Sequence, residues 1–459
     1  MKVFFKRDEC MNKYWILILI MCWVKGGTVE FTVTTTDDSI DASLADGLCL
    51  DSNGECSLRA AIMQSNILGT NDVIYLARGE LYALTLVNDI DTQGSNDLDI
   101  LDSLTLSIAD PDLPIGSLGE MPGIVGNDIQ DRIFEIHAGE LISFKGVFIA
   151  YGDAANSLSN SDRGGGIFVS EQVAEFRITD SIVAFNRAGF GAGLYSRASV
   201  TWIDETDISY NTLKTQGIIF GFGGAAIYHR GMQLTLNKSS IHHNFLEDVG
   251  LFASALHFVG EDSEVNILNT LVANNGVWPT PSGVVHGIRS SQANLRVNNS
   301  NITGNTGDGI LFKSDNEHTL ILRNSVLAFN LLGDCGVLTG IQNFGGLLEP
   351  AHIITSDSSC SLPELASNLQ GVDPNISALE GRFETLDFQF FSTQHPMEDS
   401  ILIDAGSPLD VNSGNISSCE ATDIRGVTRP LNGGLFNFCD VGIYELGDLI
   451  FRDGFGPVD

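Results

Sequence analysis

Apolar and polar positions recur along this chain with a spacing that neither one helix nor one hairpin produces. Six frames align on a shared asparagine: SIVAFN (181–186), TDISYN (206–211), SSIHHN (239–244), TLVANN (270–275), SNITGN (300–305) and SVLAFN (325–330). A seventh, VFIAYG, ends at Gly152, and successive anchors lie 34, 25, 33, 31, 30 and 25 residues apart. Three positions before the anchor stand Ile149, Val183, Ile208, Ile241, Val272, Ile302 and Leu327, all aliphatic. Eight before it stand Phe144, Ile178, Ile203, Leu236, Ile267, Val297 and Leu322; ten before it stand Ile142, Phe176, Thr201, Leu234, Val265, Leu295 and Leu320. The last two columns differ by two residues, the strand period, so they share one buried face. Five before the anchor, six of the seven frames carry Ser or Thr, which suits a bend.

Each unit opens on small residues followed by an aliphatic: GGGIFV (164–169), GAGLYS (191–196), GGAAIYH (223–229), ASALHF (253–258), VHGIRS (285–290) and GDGILF (307–312). A unit therefore offers three short strands separated by turns. None can bury its apolar face alone, so stacked units must share one core. The pattern predicts an all-β fold, a parallel β-helix. Helical repeats of this length would show a 3.6-residue period, and propeller blades need four strands. The recurring Asn186, Asn211, Asn244, Asn275, Asn305 and Asn330 are expected to form a ladder inside a turn, each amide bonding its neighbour one coil away. Upstream, DVIYL (72–76), DLDILDSLTLSI (97–108) and RIFEI (132–136) read as early coils. Before them, CSLRAAIMQSNIL (56–68) places Leu58, Ala61 and Ile62 on one helical face, a helix suited to capping the first coil.

Composition agrees with a large core: 43% of the 459 residues are hydrophobic, and 49 are glycine. Mean hydropathy is +0.11. An eleven-residue apolar run, 14–24, follows Lys13 and precedes Gly26 and Gly27, so residues 1–27 read as a secretion signal, with Met1 or Met11 as the start. No other stretch suggests a membrane span. Removing residues 1–26 leaves 19 basic against 56 acidic residues, a net charge of −37. Such a polyanion disfavours nucleic acid and anionic lipid, and favours solubility and divalent cations; the chain is expected to be a monomer. Six cysteines remain, in sequence-near pairs: Cys49/Cys56, Cys335/Cys360 and Cys419/Cys439. In an exported chain these read as disulfides, whereas zinc would demand tighter CxxC clustering with matching histidines.

Two stretches resemble known families. DSNGECSLRAAIMQSN (51–66) closely resembles the Cys-Ser-Leu-Arg-Glu-Ala motif of the CSLREA domain of secreted bacterial proteins, with Ala60 at the usual Glu. Residues 401–446 resemble the choice-of-anchor Q domain through Asp404-Ala405-Gly406, Asp423-Ile424-Arg425-Gly426, Arg429-Pro430, Cys439-Asp440-Val441-Gly442 and Tyr444-Glu445. GVDP (371–374) fits the segment that usually precedes it. The repeats between are similar to those of polymorphic outer membrane proteins. The resemblance implies an exported, single-stranded, right-handed parallel β-helix of the pectate-lyase-like type, at the bacterial surface or released, with no established catalytic residues. The tail GDLIFRDGFGPVD (447–459) departs from the family in lacking an apolar span, an LPxTG-type sorting motif and a final barrel strand, so the anchoring mode stays open. The implied organisation is a signal at 1–27, an N-terminal cap at 28–70, coils at 71–345, last coils and the Q-like domain at 346–446, and a tail at 447–459.

Candidate chemistry is sparse. His242 and His243 are adjacent strand residues, expected to point to opposite faces and so not to share a metal. The His243 column holds Tyr151, Phe185, Tyr210 and Phe329 elsewhere, so His243 reads as an aromatic-sized filler of core or turn. A second column, Phe168, Tyr195, Tyr228, His257, Arg289 and Leu311, follows the aliphatic of each opening strand. It is expected to face outward as a continuous stripe, in which Tyr195, Tyr228, His257 and Arg289 contact a glycan. This column shows no carboxylate. The acids at Asp37-Asp38 and 88–102 read as solvated turns; calcium is the one cofactor they leave open, without calcium-loop spacing. No GxSxG, HExxH or P-loop occurs. The leading expectation is a non-catalytic exported protein, adhesin-like or polysaccharide-binding. Alternatives are a polysaccharide lyase or glycoside hydrolase, needing two carboxylates on one stripe, and a structural stalk.

Overall fold

The computed structural model describes residues 27–88, 92–127, 129–156, 162–214, 223–247, 252–277, 283–313, 318–336, 341–343, 351–379, 392–430 and 438–446. The expected secretion signal, except Gly27, and the tail at 447–459 lie outside the described residues.

Every coil follows one course. An opening strand, Ile167–Val169, is followed by a middle strand, Val173–Thr179, and by a ladder strand, Ile182–Ala184. The next coil repeats this as Leu194–Ser196, Val200–Asp204 and Asp207–Ser209. Each strand pairs in parallel with its counterpart one coil away. At Phe252–Leu268 and Val284–Asn298 the opening and middle strands run together, which joins them into one 18-stranded sheet beside a ten-stranded ladder sheet. Three coils carry a fourth strand of two residues, Arg187–Ala188, Thr212–Leu213 and Phe245–Leu246. The sequence reading has no such strand, because two residues leave no alternation to detect.

The three apolar columns are in register. Ile149, Val183, Ile208, Ile241, Val272, Ile302 and Leu327 pair in succession. So do Phe144, Ile178, Ile203, Leu236, Ile267, Val297 and Leu322. All are buried. Thr201, the polar member of its column, bonds Ser196 Oγ at 2.7 Å and so is satisfied in the core.

Two corners turn each coil, and both use a left-handed residue. One column comprises Tyr151, Phe185, Tyr210, His243, Asn274, Gly304 and Phe329, with φ between 51° and 65°. The other comprises Gly146, Asp180, Glu205, Lys238, Asn269, Asn299 and Asn324, with φ between 43° and 69°. For L residues this conformation costs about 1–2 kcal/mol each. Polar ladders beside the bends offset it. Asn186 Nδ2 donates to Asn211 Oδ1 at 3.0 Å, and the relay continues through Asn244, Asn275, Asn305 and Asn330 at 2.9–3.0 Å. Each Oδ1 also accepts a backbone N–H from the previous coil. Gly152, which lacks an amide, enters the ladder by donating its N–H to Asn186 Oδ1, and Asn330 closes it on Asp334 Oδ1. At the other corner the hydroxyl column serves the same purpose: Thr206 N donates to Ser239 Oγ, Thr270 N to Ser300 Oγ and Ser300 N to Ser325 Oγ. The small residues that open each unit make room for the amides. A Cβ added to Gly166 would come within 2.9 Å of Asn186 Nδ2, and one on Gly309 within 2.7 Å of Asn330 Nδ2.

At the N-terminal end, strand Glu30–Thr32 pairs with Asp72–Leu76, and helix Leu58–Leu68 lies over the first coil. Ser57 caps the helix by accepting the Ala60 N–H at 3.0 Å, and Gly69 ends it at φ 66°. The Ser57 and residue-60 positions are those of a capping box, of which this chain keeps the serine half. Asp38, expected in a solvated turn, is instead buried against Arg59, 2.7 Å away. Asp97 is fully buried as well. Local sequence cannot show this, because the partner groups come from other coils.

After strand Ile353–Thr355, which is followed by a parallel bridge from Ile354 to Leu369, described parts of the chain return over the outer face of the ladder sheet. Leu402 and Val441 pack on Val326 and Ala328, while Ile424 and Ile443 pack on Leu271 and Ala273. The three disulfides join Cys49 to Cys56, Cys335 to Cys360 and Cys419 to Cys439.

One core group makes stability depend on pH. His229 sits among inward-facing residues, and burial pushes its imidazole down to about 4, against a smaller upward effect of the Gly231 backbone. The unfolded chain binds a proton near pH 6.5 that the folded chain refuses until about pH 4. Stability from this site is therefore complete above pH 6.5 and declines as pH falls toward 4, by on the order of 3 kcal/mol. Denaturation curves of the His229→Phe variant should lack this share of the acid sensitivity. A variant with the unchanged pH slope would contradict the assignment.

Candidate functional site

The opening-strand column is continuous, as its register shows. Phe168 pairs with Tyr195, Tyr195 with Tyr228, Tyr228 with His257 and His257 with Arg289. Its exposure differs from the expectation. Tyr195 and His257 are 3% exposed and Arg289 is 9% exposed. The reason is the stacking itself. Phe168 and Tyr195 rings lie 5.5 Å apart at 11°, and Tyr195 and Tyr228 rings 5.1 Å apart at 2°. Faces thus cover faces, and the stripe offers little open ring surface where it was expected. Phe190 packs edge-on against Tyr228, and the exposed Arg163 places its guanidinium 5.3 Å from the Tyr195 ring. Burial, then Tyr195, holds the Tyr228 phenol above its usual range, against the exposed Arg230, Arg163 and Arg289, which all lie near it. This face gathers cationic side chains in a chain of net charge −34.

The column also carries carboxylates, contrary to the sequence reading. Phe168 pairs with Glu135, and Glu135 with Asp99. The signal was present: Leu98-Asp99-Ile100, Phe134-Glu135-Ile136 and Ile167-Phe168-Val169 share one apolar frame. It was missed because the early coils lack the anchor asparagine that set the alignment. Two residues past Glu135, His137 places Nε2 2.7 Å from Asp99 Oδ1 and Nδ1 4.0 Å from Glu135 Oε1. Asp99 and, more weakly, Glu135 hold the His137 imidazole above its usual range, against desolvation and Arg132. Arg132 is fully buried, binds Glu135 Oε2, lies 3.9 Å from Asp97 and 3.7 Å from Asp131, and sits 5.2 Å from the Phe168 ring. The buried arginine fixes one oxygen of Glu135 and turns the other toward His137.

His242 and His243 do meet, which corrects the opposite-faces argument. His243 occupies the left-handed corner at φ 51°, so strand alternation ends at His242. The two Nδ1 atoms lie 2.9 Å apart, and His242 Nε2 lies 3.0 Å from Asp207 Oδ2. A carboxylate can only accept, so His242 donates through Nε2 and accepts at Nδ1 from His243. Burial, then His242, pushes His243 down to about 4, with Asp207 acting the other way. The ring also ends an external stack at the corner: Tyr151 on Phe185 at 5.5 Å, Phe185 on Tyr210 at 5.2 Å and Tyr210 on His243 at 5.1 Å. His243 is thus a turn filler and not a core residue. Beside it runs a shallow groove lined by Leu118, Asp207, Ser209, Tyr210, His242 and Ser392. Both His242 nitrogens are engaged, so this chain of bonds orders the corner.

The Q-like motif residues converge on one buried knot. Arg429 donates to the Asp440 and Gly442 carbonyls at 2.9 and 2.8 Å and lies 3.3 Å from Glu445. Asp423 accepts from the Arg425 and Val427 N–H groups, and Arg425 stacks 3.4 Å from the Tyr444 ring. The knot binds the corner asparagines, with Glu420 N on Asn299 Oδ1 and Ser407 N on Asn324 Oδ1. Among the described residues, no group of three or more His, Cys, Asp or Glu is placed to hold a metal ion, and no helix is long and apolar enough to cross a membrane.

A family model described as a right-handed β-helix region matches residues 145–326. No curated protein matches the chain. Among solved structures, the crystal structure of pectate lyase Pel9A is similar over 92% of this chain and 96% of that one, at 14% identity and a TM-score of 0.46. The chain is an all-β, right-handed parallel β-helix.

Proposed function

We propose that this β-helix is an exported, adhesin-like protein, at the surface or released, that binds an acidic polysaccharide along its opening-strand face. The observation that carries the reading is the clustering of Arg163, Arg230 and Arg289 about the Tyr195–Tyr228 stack. In so acidic a chain, a neutral glycan would gain nothing from three guanidinium groups gathered there. An anionic one gains charge-assisted hydrogen bonds, foremost from the exposed Arg163 and Arg230. The disulfides accord with an oxidising destination.

Arg163 and Arg230 are exposed, so alanine there leaves the core intact. On an array of acidic and neutral glycans, the chain should select acidic polymers. The Arg163→Ala/Arg230→Ala variant should bind them roughly tenfold more weakly and with a shallower salt dependence. An unchanged glycan profile and affinity in that variant would overturn the proposal.

A further inference from the structure

The acidic head of the same face carries groups that the binding reading does not use. Three features set Asp99, Glu135 and His137 apart from an ordinary surface ion pair. Asp99 and Glu135 occupy one column in consecutive coils, directly before Phe168. Each oxygen of Glu135 has its own neighbour: buried Arg132 holds Oε2, and Oε1 faces His137 Nδ1 across 4.0 Å. Asp99 accepts from the opposite nitrogen, Nε2–H, at 2.7 Å; the charged imidazole, which Asp99 and Glu135 favour, carries its second proton on Nδ1, toward the gap. A separation of 4.0 Å is too long for a direct hydrogen bond. An oxygen about 2.8 Å from each atom fits between them.

The spacing also selects the reaction. Glycoside hydrolysis needs two carboxyl groups flanking the sugar at roughly 5–9.5 Å, and here an imidazole is wedged between the two carboxylates. An acid and a base converging on one oxygen from the same side instead suit attack of water on a carbonyl carbon. Resting on the acidic-glycan reading above, we propose that Glu135 and His137 hydrolyse a carboxylic ester carried by the bound polysaccharide, with Asp99 as a positioning residue. Glu135 Oε1 takes a proton from the water held in the gap, and the water oxygen bonds to the ester carbon. The tetrahedral adduct collapses with breakage of the carbon–alkoxy bond, and the leaving oxygen takes the proton from His137 Nδ1. The proton on Glu135 then crosses to His137 through the next water. The net reaction is ester plus water giving acid plus alcohol.

The test measures acid released from O-acetylated and methyl-esterified uronic acid polymers, with glycan affinity followed in parallel. Wild type should release acid, and Glu135→Gln and His137→Gln should each lower kcat/KM by on the order of 100-fold or more with affinity retained. Asp99→Asn should move the alkaline limb of the pH–rate profile to lower pH, an effect that a purely structural role would not produce; Glu135 and Arg132 are the other charged groups facing the imidazole. If Glu135→Gln unfolds through the loss of Arg132's partner, His137→Gln decides alone. Binding without acid release from either polymer, or rates within threefold of wild type in His137→Gln, overturns the esterase proposal and leaves the binding reading standing. Loss of acidic-glycan selectivity in the wild type overturns both.

Discussion

Replacing Arg59 by methionine is expected to destabilise the N-terminal end by about 3–5 kcal/mol. The guanidinium is 1% exposed, pairs with Asp38 at 2.7 Å, and donates to the carbonyls of Asp97 and Asn96 at 2.7 and 2.9 Å. Asp38 in turn accepts the N–H groups of Thr85 and Leu86. One arginine thus ties the cap helix, the segment before it and the first coils together. Its loss strands a buried carboxylate and two carbonyls. Thermal and urea unfolding should show the loss, and limited proteolysis should open the chain first near residues 30–70. Adding Asp38→Asn to the variant should recover part of the stability, since a neutral amide costs less to bury than a carboxylate that has lost its cation. An Arg59→Met protein within 1 kcal/mol of wild type would refute the clamp.

The second large effect is expected at the middle of the asparagine ladder. Asn244 is fully buried. Its Oδ1 accepts from Asn211 N and Nδ2, and its Nδ2 donates to Ile208 O, His242 O and Asn275 Oδ1. Alanine at this position leaves several buried polar groups without partners at about 1–3 kcal/mol each, so a loss of roughly 3 kcal/mol or more is expected. Because coils are coupled through nearest neighbours, amide protection should fall in the adjoining coils around residues 208–212 and 272–276 before it falls at either end. Asn330→Ala, at the last rung, should cost less, since that residue has no further asparagine beyond it and bonds Asp334 within its own coil. Equal effects at the two positions would mean that the ladder does not act as a chain.

The apolar columns were legible without coordinates because each residue's fate depends on its counterpart one period away. Ile241, Leu236 and Leu234 repeat what Ile208, Ile203 and Thr201 do, and the register found is the register read from spacing. The asparagine and hydroxyl columns were visible for the same reason. Other features needed the assembled chain. His243 left strand alternation because the corner demands positive φ, which a residue name does not reveal. Tyr195 and His257 lost their exposure because the rings of neighbouring coils, Tyr228 between them, cover them.

The carboxylates of the acidic head show the boundary most clearly. Asp99 and Glu135 stood in apolar frames that alternation could align, and their place on the column follows from sequence alone. Their pairing with His137 and with buried Arg132 depends on the approach of side chains from different coils and different turns. The return of residues 392–430 and 438–446 over the ladder sheet is of the same kind, since Ser392 meets Ser240 and Gly442 meets Asn324 across more than a hundred residues of chain. The sequence by itself determined the coil, its period, its core columns and its polar ladders, because these are short-range repeats in which hydrophobic burial and backbone pairing agree at every turn. Only the tertiary structure decided which outward residues remain open, which acids find cations and where the C-terminal segment lies, because each of these is a single, unrepeated long-range contact.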